Sequence, residues 1–146
     1  MRLQTLVAGL ALTLTGLAAT AQDATGAADA PTLALELNRA TATAEGACQV
    51  IFFGQNGLDQ DFAEVEWRLA VFDAEGVFKN LLALPLGALG PGKRRVVQYN
   101  LPFACAELSD IIVNEVSKCT LASGGESEAC LTDLTVTSRT DIAFGL

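Results

Sequence analysis

The chain has 146 residues, with 17 acidic and 9 basic side chains, and it contains no histidine. This length suits one domain, and the formal net charge of −8 disfavours binding to nucleic acid or anionic lipid, whose phosphates are also negative. Without histidine the chain lacks Ser-His-Asp and Cys-His catalytic systems and histidine-ligated metal or haem sites. The glycine-rich loop and lysine of P-loop nucleotide-binding proteins are also absent from the sequence.

The N-terminus has the features of a secretory signal peptide. Met1 and Arg2 give a positive start, an apolar run extends from Leu6 to Ala19, and small residues at Ala19 and Ala21 suit a signal peptidase. We expect cleavage after Ala21. The apolar run is shorter than the about 20 residues of a transmembrane helix, which makes an uncleaved anchor the less favoured alternative. The chain is therefore predicted to be periplasmic or secreted, with no membrane span after cleavage.

The remaining chain is predicted to contain one folded domain. Residues 22–31 are mainly small and polar, which is typical of a disordered tether. The predicted organisation is a signal peptide at 1–21, the tether at 22–31 and a β domain at 32–146.

Short segments with the pattern of β-strands follow the tether. The clearest lies at 62–72, where the odd-numbered residues from Val65 to Val71 are apolar and the even-numbered residues from Glu64 to Arg68 are charged. This alternation indicates a strand with one buried face. The predicted strands cover residues 33–37, 47–54, 62–72, 77–86, 93–101, 108–117 and 131–140.

Strands at roughly ten-residue spacing predict an all-β fold, a two-sheet antiparallel immunoglobulin-like sandwich of about seven strands. Turn-forming residues such as Asp73 and Gly76 separate the strands, and no convincing helical period occurs beyond a possible single turn at 104–110. Pro85 suggests a sheet edge or the end of a strand, because proline has no amide hydrogen to donate. Trp67 is interpreted as the central core aromatic rather than as a ligand-binding residue.

Segment 65–76 resembles the central strand and turn of FxLYD-type bacterial immunoglobulin-like domains. That family pairs a hydrophobic strand ending in aromatic-Asp with a glycine-containing turn, followed later by a Pro-Gly turn such as Pro91-Gly92 here. The chain carries Val71–Asp73 where Leu-Tyr-Asp is typical, and it has four cysteines in addition. The resemblance covers about a third of the chain. It implies a sandwich with an interaction-related role in the bacterial envelope and no catalytic residue.

The cysteines predict two disulfide bonds. Cys48, Cys105, Cys119 and Cys130 are an even number in a chain expected to be exported. The polar, glycine-bearing segment between Cys119 and Cys130 suits a loop clipped at its base, which favours that bond and leaves Cys48–Cys105. A four-cysteine metal site is disfavoured because no Cys-x-x-Cys pair occurs. Three pairings remain possible from the sequence.

The clipped loop is the best candidate recognition feature. A disulfide that orders a loop in advance lowers the entropy lost when the loop binds a partner. A hairpin that merely needs a covalent staple is an equally good interpretation. The candidate recognition residues are Gly124, Gly125, Glu126, Ser127 and Glu128.

Carboxylates provide the remaining candidates for chemistry. The pairs Asp59/Asp61 and Glu64/Glu66 have spacings that could serve a glycosidase. Asn56 lies in the same turn as Asp59 and Asp61, and these three residues offer oxygen ligands suited to calcium. Close pairs are expected by chance among 17 acids, so charged-surface and turn-forming roles are favoured.

Lys93, Arg94 and Arg95 form a cluster of adjacent basic residues. In a strand, Arg94 points away from the other two, so the cluster is not a single three-charge patch. We favour a solubilising start of a strand, whose charges also prevent the sheet edge from pairing with another chain, over a docking point for an acidic or glycan partner.

These observations predict a non-enzymatic protein-interaction module with an envelope protein as partner, no cofactor, no metal and no catalytic residue. Two alternatives come from other classes. One is a small carboxylate-based glycan hydrolase or lyase, and the other is a carrier of an apolar ligand between the sheets. The fold class alone does not choose among them.

Overall fold

The computed structural model of the chain describes residues 30–146. This part contains eight β-strands, a 3₁₀ turn at Cys105–Glu107 and one short helix, α1, at Ala129–Thr132. The expected signal peptide and residues 22–29 of the expected tether lie outside the described residues. The strands are β1 (Leu33–Ala42), β2 (Cys48–Asn56), β3 (Phe62–Asp73), β4 (Phe78–Leu89), β5 (Arg94–Leu101), β6 (Leu108–Leu121), β7 (Leu134–Ser138) and β8 (Ala143–Gly145).

The strands form two four-stranded sheets that enclose the apolar core. Sheet A has the order β5-β2-β1-β7 and sheet B has the order β4-β3-β6-β8. The predicted all-β two-sheet sandwich is confirmed. Of the two positions that Pro85 suggested, a sheet edge or a strand end, the structure has the edge, because β4 is an edge strand of sheet B and continues to Leu89. None of the helices in this part of the chain has the length and apolar character needed to cross a membrane.

Two of the strand pairings are parallel, whereas antiparallel pairing was expected throughout. β7 pairs in parallel with β1, and β8 pairs in parallel with β6, so both sheets are mixed. Neither strand is joined to its partner by a hairpin, which would impose the antiparallel direction. β7 instead crosses from sheet B and starts at the end of the sandwich where β1 starts, with Leu134 opposite Leu33.

The predicted strand at 131–140 is shorter than expected. Leu131 and Thr132 belong to α1, and the strand ends at Ser138. The Ser138 hydroxyl donates to the Ile142 carbonyl at 2.6 Å and accepts from the Thr140 amide at 3.1 Å, which closes a turn. This turn sends the chain into β8, a strand too short to leave a recognisable alternation in the sequence.

The alternation in β3 places its apolar face in the core. The side chains of Val65, Trp67, Leu69 and Val71 have no exposed surface, as predicted. The Trp67 indole Nε1 donates to the carbonyl oxygen of Cys130 at 2.8 Å. Burying each of these side chains contributes about 1.5–3 kcal/mol to the free energy of unfolding, so β3 is a major source of stability.

Asn56 is the buried polar residue of the described chain, although its sequence context indicates an exposed turn. It is the last residue of β2, and its side-chain Nδ2 donates to the carbonyls of Gln60 and Leu89 at 2.8 and 2.9 Å. Its Oδ1 accepts the Leu58 amide at 2.9 Å. These bonds satisfy the buried amide and fix the loop at 57–61 against the end of β4.

Both disulfides of the favoured pairing are present. Cys48–Cys105 joins the start of β2 to the 3₁₀ turn at one end of the sandwich, across 57 residues of sequence. Cys119–Cys130 joins β6 to α1 at the opposite end, across 11 residues. Each end of the sandwich therefore has one covalent link.

The two links should differ in their contribution to stability. In the chain-entropy description, the longer loop contributes about 4 kcal/mol and the shorter about 3 kcal/mol to the free energy of unfolding. We expect the double variant Cys48→Ala/Cys105→Ala to be about 1 kcal/mol less stable than Cys119→Ala/Cys130→Ala. Urea unfolding monitored by Trp67 fluorescence measures both values. A larger loss for the shorter loop would show that native contacts around α1, rather than chain entropy, dominate.

Candidate functional site

The predicted recognition residues lie at the end of the sandwich where β6 terminates. β6 extends to Leu121, two residues into the segment predicted as a loop, and a tight turn follows. The Leu121 amide donates to the Gly125 carbonyl, and the Gly124 amide donates back to the Leu121 carbonyl, both at 3.0 Å. Gly124 and Gly125 have φ angles of 92° and 87°, which glycine adopts without steric cost. The turn therefore requires its glycines for backbone geometry.

The returning arm of this hairpin is attached to its surroundings on two sides. The Ser127 amide donates to the Cys119 carbonyl at 2.9 Å, and the Ser127 hydroxyl donates to Oε1 of Gln60 at 2.9 Å. On the outgoing arm, the Ala122 amide donates to the Asp61 carbonyl at 2.8 Å. The structure thus brings the predicted residues together on a well-anchored hairpin. Their role in recognition stays a prediction.

An apolar groove adjoins the hairpin. It has a volume of roughly 430 Å³ and lies between β6 and α1. The Leu131 side chain on α1 is 55% exposed, and Val116 on β6 is half-buried. The groove is lined by Val116, Ser127, Glu128, Leu131 and Thr132. Sequence reasoning missed it because Leu131 was assigned to a strand.

A second apolar surface covers half of the outer face of sheet B. In the strand register Ala70 lies between Leu81 of β4 and Ile112 of β6, and Phe72 lies opposite Phe78. The Phe72 and Phe78 rings meet edge to face, with centroids 6.1 Å apart. We call these five residues the outer patch. Ala70 is only 3% exposed although it faces outward, because larger neighbours cover it, while Phe78 and Leu81 remain 52% and 46% exposed.

The other half of this face carries ion pairs between β3 and β6. Lys118 Nζ lies 2.6 Å from Glu64 Oε1, and Arg68 Nη1 lies 2.9 Å from Glu115 Oε1. The Glu64/Glu66 pair is therefore on an outer sheet face, with one member engaged by a lysine. A glycosidase pair instead flanks a bound sugar from two sides. This arrangement supports the charged-surface interpretation of Glu64 and Glu66.

The residues considered for calcium are not assembled into a binding site. The side-chain oxygen of Asn56 accepts the Leu58 amide and is directed into the protein. Asp59 and Asp61 are exposed in the following loop. Within residues 30–146, no group of three or more cysteine or acidic side chains is placed to hold a metal ion.

The basic cluster lies at the start of β5, which is an edge strand of sheet A. Lys93, Arg94 and Arg95 are all exposed. Arg95 Nη2 donates to the Ala88 carbonyl of β4 at 3.4 Å, a long bond across the corner of the sandwich. The position agrees with an edge-guarding role.

A polar cleft lies at the opposite end of the sandwich from the hairpin. Its volume is roughly 690 Å³, and Arg39, Arg139 and Asp141 are among its lining residues. Arg39 follows an irregularity in the pairing of β1 with β2, a type of distortion that redirects side chains. Beside the cleft, Glu36 accepts hydrogen bonds from Asn38 Nδ2 at 2.6 Å and from Arg139 Nε at 2.8 Å.

These contacts hold the pKa of the Glu36 carboxyl below its usual value, with the Asn38 hydrogen bond as the largest cause and Arg139 as the next. Because the folded pKa is lowered, Glu36 stabilises the fold above its unfolded pKa, and this contribution is lost as the pH falls through the folded pKa.

We expect Asn38→Ala and Arg139→Ala each to raise the pKa of Glu36 in an NMR titration. The control Asp133→Asn, at an exposed residue between α1 and β7, should leave the pKa of Glu36 unchanged. An unchanged Glu36 pKa in both alanine variants would contradict the assignment.

The space between the sheets is filled by side chains. Trp67, Phe52, Phe62 and several leucines are fully buried there. This packing favours a solid core over an internal site for an apolar ligand.

Comparison with known proteins gives no relative from which a role could be transferred. No protein-family model matches the chain, and no curated protein and no solved structure matches it. The fold and the surfaces described above are therefore the basis for any functional assignment.

Proposed function

We propose that this chain is an exported, non-enzymatic immunoglobulin-like module that binds another protein of the bacterial envelope or the exterior. The single observation that carries the proposal is the outer patch of sheet B. The two predicted disulfides and the signal-peptide sequence support the location, since disulfides form and persist in oxidising compartments.

The outer patch differs from the usual outer face of a sandwich sheet. Such a face is solvated and carries mainly polar side chains. Here two aromatic rings and two aliphatic side chains are contiguous, and the adjoining Val77 is 58% exposed. Contiguous exposed apolar surface of this kind is typical of sites that contact a protein, a membrane or a ligand, and the net charge of −8 disfavours an anionic membrane.

The border of the outer patch also suits a protein partner. The Arg68–Glu115 ion pair adjoins it on β3 and β6, and these two side chains are each 48% exposed. An apolar centre with aromatic side chains and a polar rim is the usual composition of a protein–protein interface. Phe72 and Phe78 are the expected anchors, because aromatic residues contribute most to binding energy at such sites.

Export is tested by the mature N-terminus. When the full chain is produced with a C-terminal tag in a bacterium with an outer membrane, we expect periplasmic or extracellular protein that starts at Gln22. The Ala21→Arg variant, which changes a residue read by the peptidase, should retain its leader. Mass spectrometry of both proteins gives the masses directly. Unprocessed wild-type protein in the cytosol would contradict export.

Partner binding is tested by a photo-crosslinking residue placed at Leu81 of the exported protein. We expect a discrete adduct with one protein, and we expect the adduct to disappear when Phe78→Asp is introduced into the same chain. The matched control places the crosslinker at Thr137, an exposed residue on the outer face of sheet A. Equal adducts from both positions, or adducts that survive Phe78→Asp in a folded protein, would exclude the outer patch as the binding surface.

A further inference from the structure

One strand of sheet B has an uncovered edge in its middle. β6 spans 14 residues, but β8 pairs only with Asp110–Ile112. Near the end of β6, an isolated bridge joins Thr120 to Glu126 of the hairpin's returning arm. Within the described residues, no strand covers residues 113–118 on the side away from β3, and no loop forms a backbone hydrogen bond with them. We call these six residues the open edge.

The open edge has the dimensions of a binding site for one short strand. Six residues of extended chain span at most about 20 Å at 3.3 Å per residue, and two irregularities in the pairing of β6 with β3, at Asn114 and Ser117, fall within this stretch. The gap is bounded by β8 on one side and by the hairpin's returning arm on the other. An added strand would therefore complete the outermost row of sheet B. Unpaired strand edges bind extended peptides in this way, with main-chain hydrogen bonds providing affinity.

The apolar groove lies beside the open edge and provides a site for a side chain. Val116 belongs to both, and it packs partly against the core from the inner face of β6. Leu131 forms the other wall, with more than half of its side chain exposed. An added strand directs every second side chain toward the inner face, so an apolar residue at such a position would fill the groove.

The charges around the groove favour basic residues in the added strand. Glu126 and Glu128 are exposed on the hairpin, and Glu128 lines the groove itself. Among the charged residues of β6 in the open edge, Glu115 is paired with Arg68 and Lys118 is paired with Glu64. The unpaired charge at this end of the open edge is therefore negative, which favours lysine or arginine in the partner.

We propose that the open edge of β6 binds an extended segment of a partner protein that alternates apolar and basic side chains, by strand addition to sheet B. This proposal rests on the proposed function as a protein-binding module and names the chemistry of a partner segment. The apolar side chains enter the groove between Val116 and Leu131, and a basic side chain contacts Glu126 or Glu128. The hairpin predicted from the sequence as a recognition feature thereby forms one wall of the site.

The test uses the full mature chain and a fluorescent seven-residue peptide that alternates valine and lysine, with both termini blocked. Fluorescence anisotropy should show saturable binding. We expect at least about tenfold weaker binding with Leu131→Glu and with a peptide that carries glutamate in place of lysine. The matched control, Val96→Glu, alters an exposed apolar residue on the edge strand of sheet A and should leave the affinity unchanged.

Two N-methylated forms of the peptide test the main-chain contact. Methylation of the valine amides removes the donors of one strand edge, and methylation of the lysine amides removes those of the other. With valine directed inward, only one edge faces β6, so one form should lose binding and the other should retain it. Equal binding of both forms, or no saturable binding of the parent peptide, would overturn the proposal.

The outcome is separable from that of the proposed function. Phe78→Asp lies on the outer patch and should not affect peptide binding. If the peptide fails to bind while the Leu81 crosslink persists, strand addition is wrong and the protein-binding module stands. If Phe78→Asp abolishes peptide binding, the peptide binds at the outer patch instead, which also overturns strand addition.

Discussion

A buried hydrogen bond from the Trp67 indole to the Cys130 carbonyl anchors α1, the segment that leads the chain from sheet B to sheet A. Trp67 lies at the centre of sheet B, opposite Leu84 of β4 and Val116 of β6. Its donor would be left unpaired in the core without this carbonyl, at a cost of about 1–3 kcal/mol. The Cys119–Cys130 bond fixes the same residue covalently to β6. Together these two contacts determine where the chain leaves sheet B and crosses to sheet A.

The crossing has a direct consequence for the edge of sheet B. After the short hairpin, the chain turns through α1 and enters sheet A as β7 instead of continuing along β6. It returns to sheet B only as the three residues of β8. The middle of β6 is therefore left without a neighbour as a result of the same contacts that close the core.

Another edge of the sandwich is protected. The Tyr99 hydroxyl of β5 donates to the Ala83 carbonyl of β4 at 2.7 Å, and Arg95 reaches the Ala88 carbonyl on the same strand. Burial raises the pKa of the Tyr99 phenol, with a smaller contribution from the charge of Glu66, so the hydroxyl keeps its proton at neutral pH. These side chains occupy acceptors that would otherwise be available to a further strand. The edge of β4 thus has side-chain donors on two of its carbonyls, whereas within the described residues no side chain donates to the carbonyls of the open edge of β6.

Sequence reasoning succeeded where a single local pattern determined the outcome. The alternation from Val65 to Val71 predicted a half-buried strand, and the polar segment between Cys119 and Cys130 favoured the observed disulfide pairing. It failed where the outcome depends on distant contacts. Asn56 has the local context of a turn residue, but carbonyls from two other segments make it a buried anchor. The parallel pairing of β7 and β8 depends on where the chain crosses between the two sheets, and no periodic pattern in the sequence marks that crossing.

The outer patch shows what the sequence indicated about burial and what it could not indicate. Leu69–Phe72 is continuously apolar, which is typical of a strand buried on both faces. The structure covers the inner face of this segment with sheet A, and among the described residues nothing covers the outer face. A pattern of burial on both sides therefore coincides with a structure in which one side is exposed. That mismatch is resolved if a second protein provides the missing layer. Under that proposal, the ion-paired half of the same face and the formal net charge of −8 favour the solubility of the unbound protein.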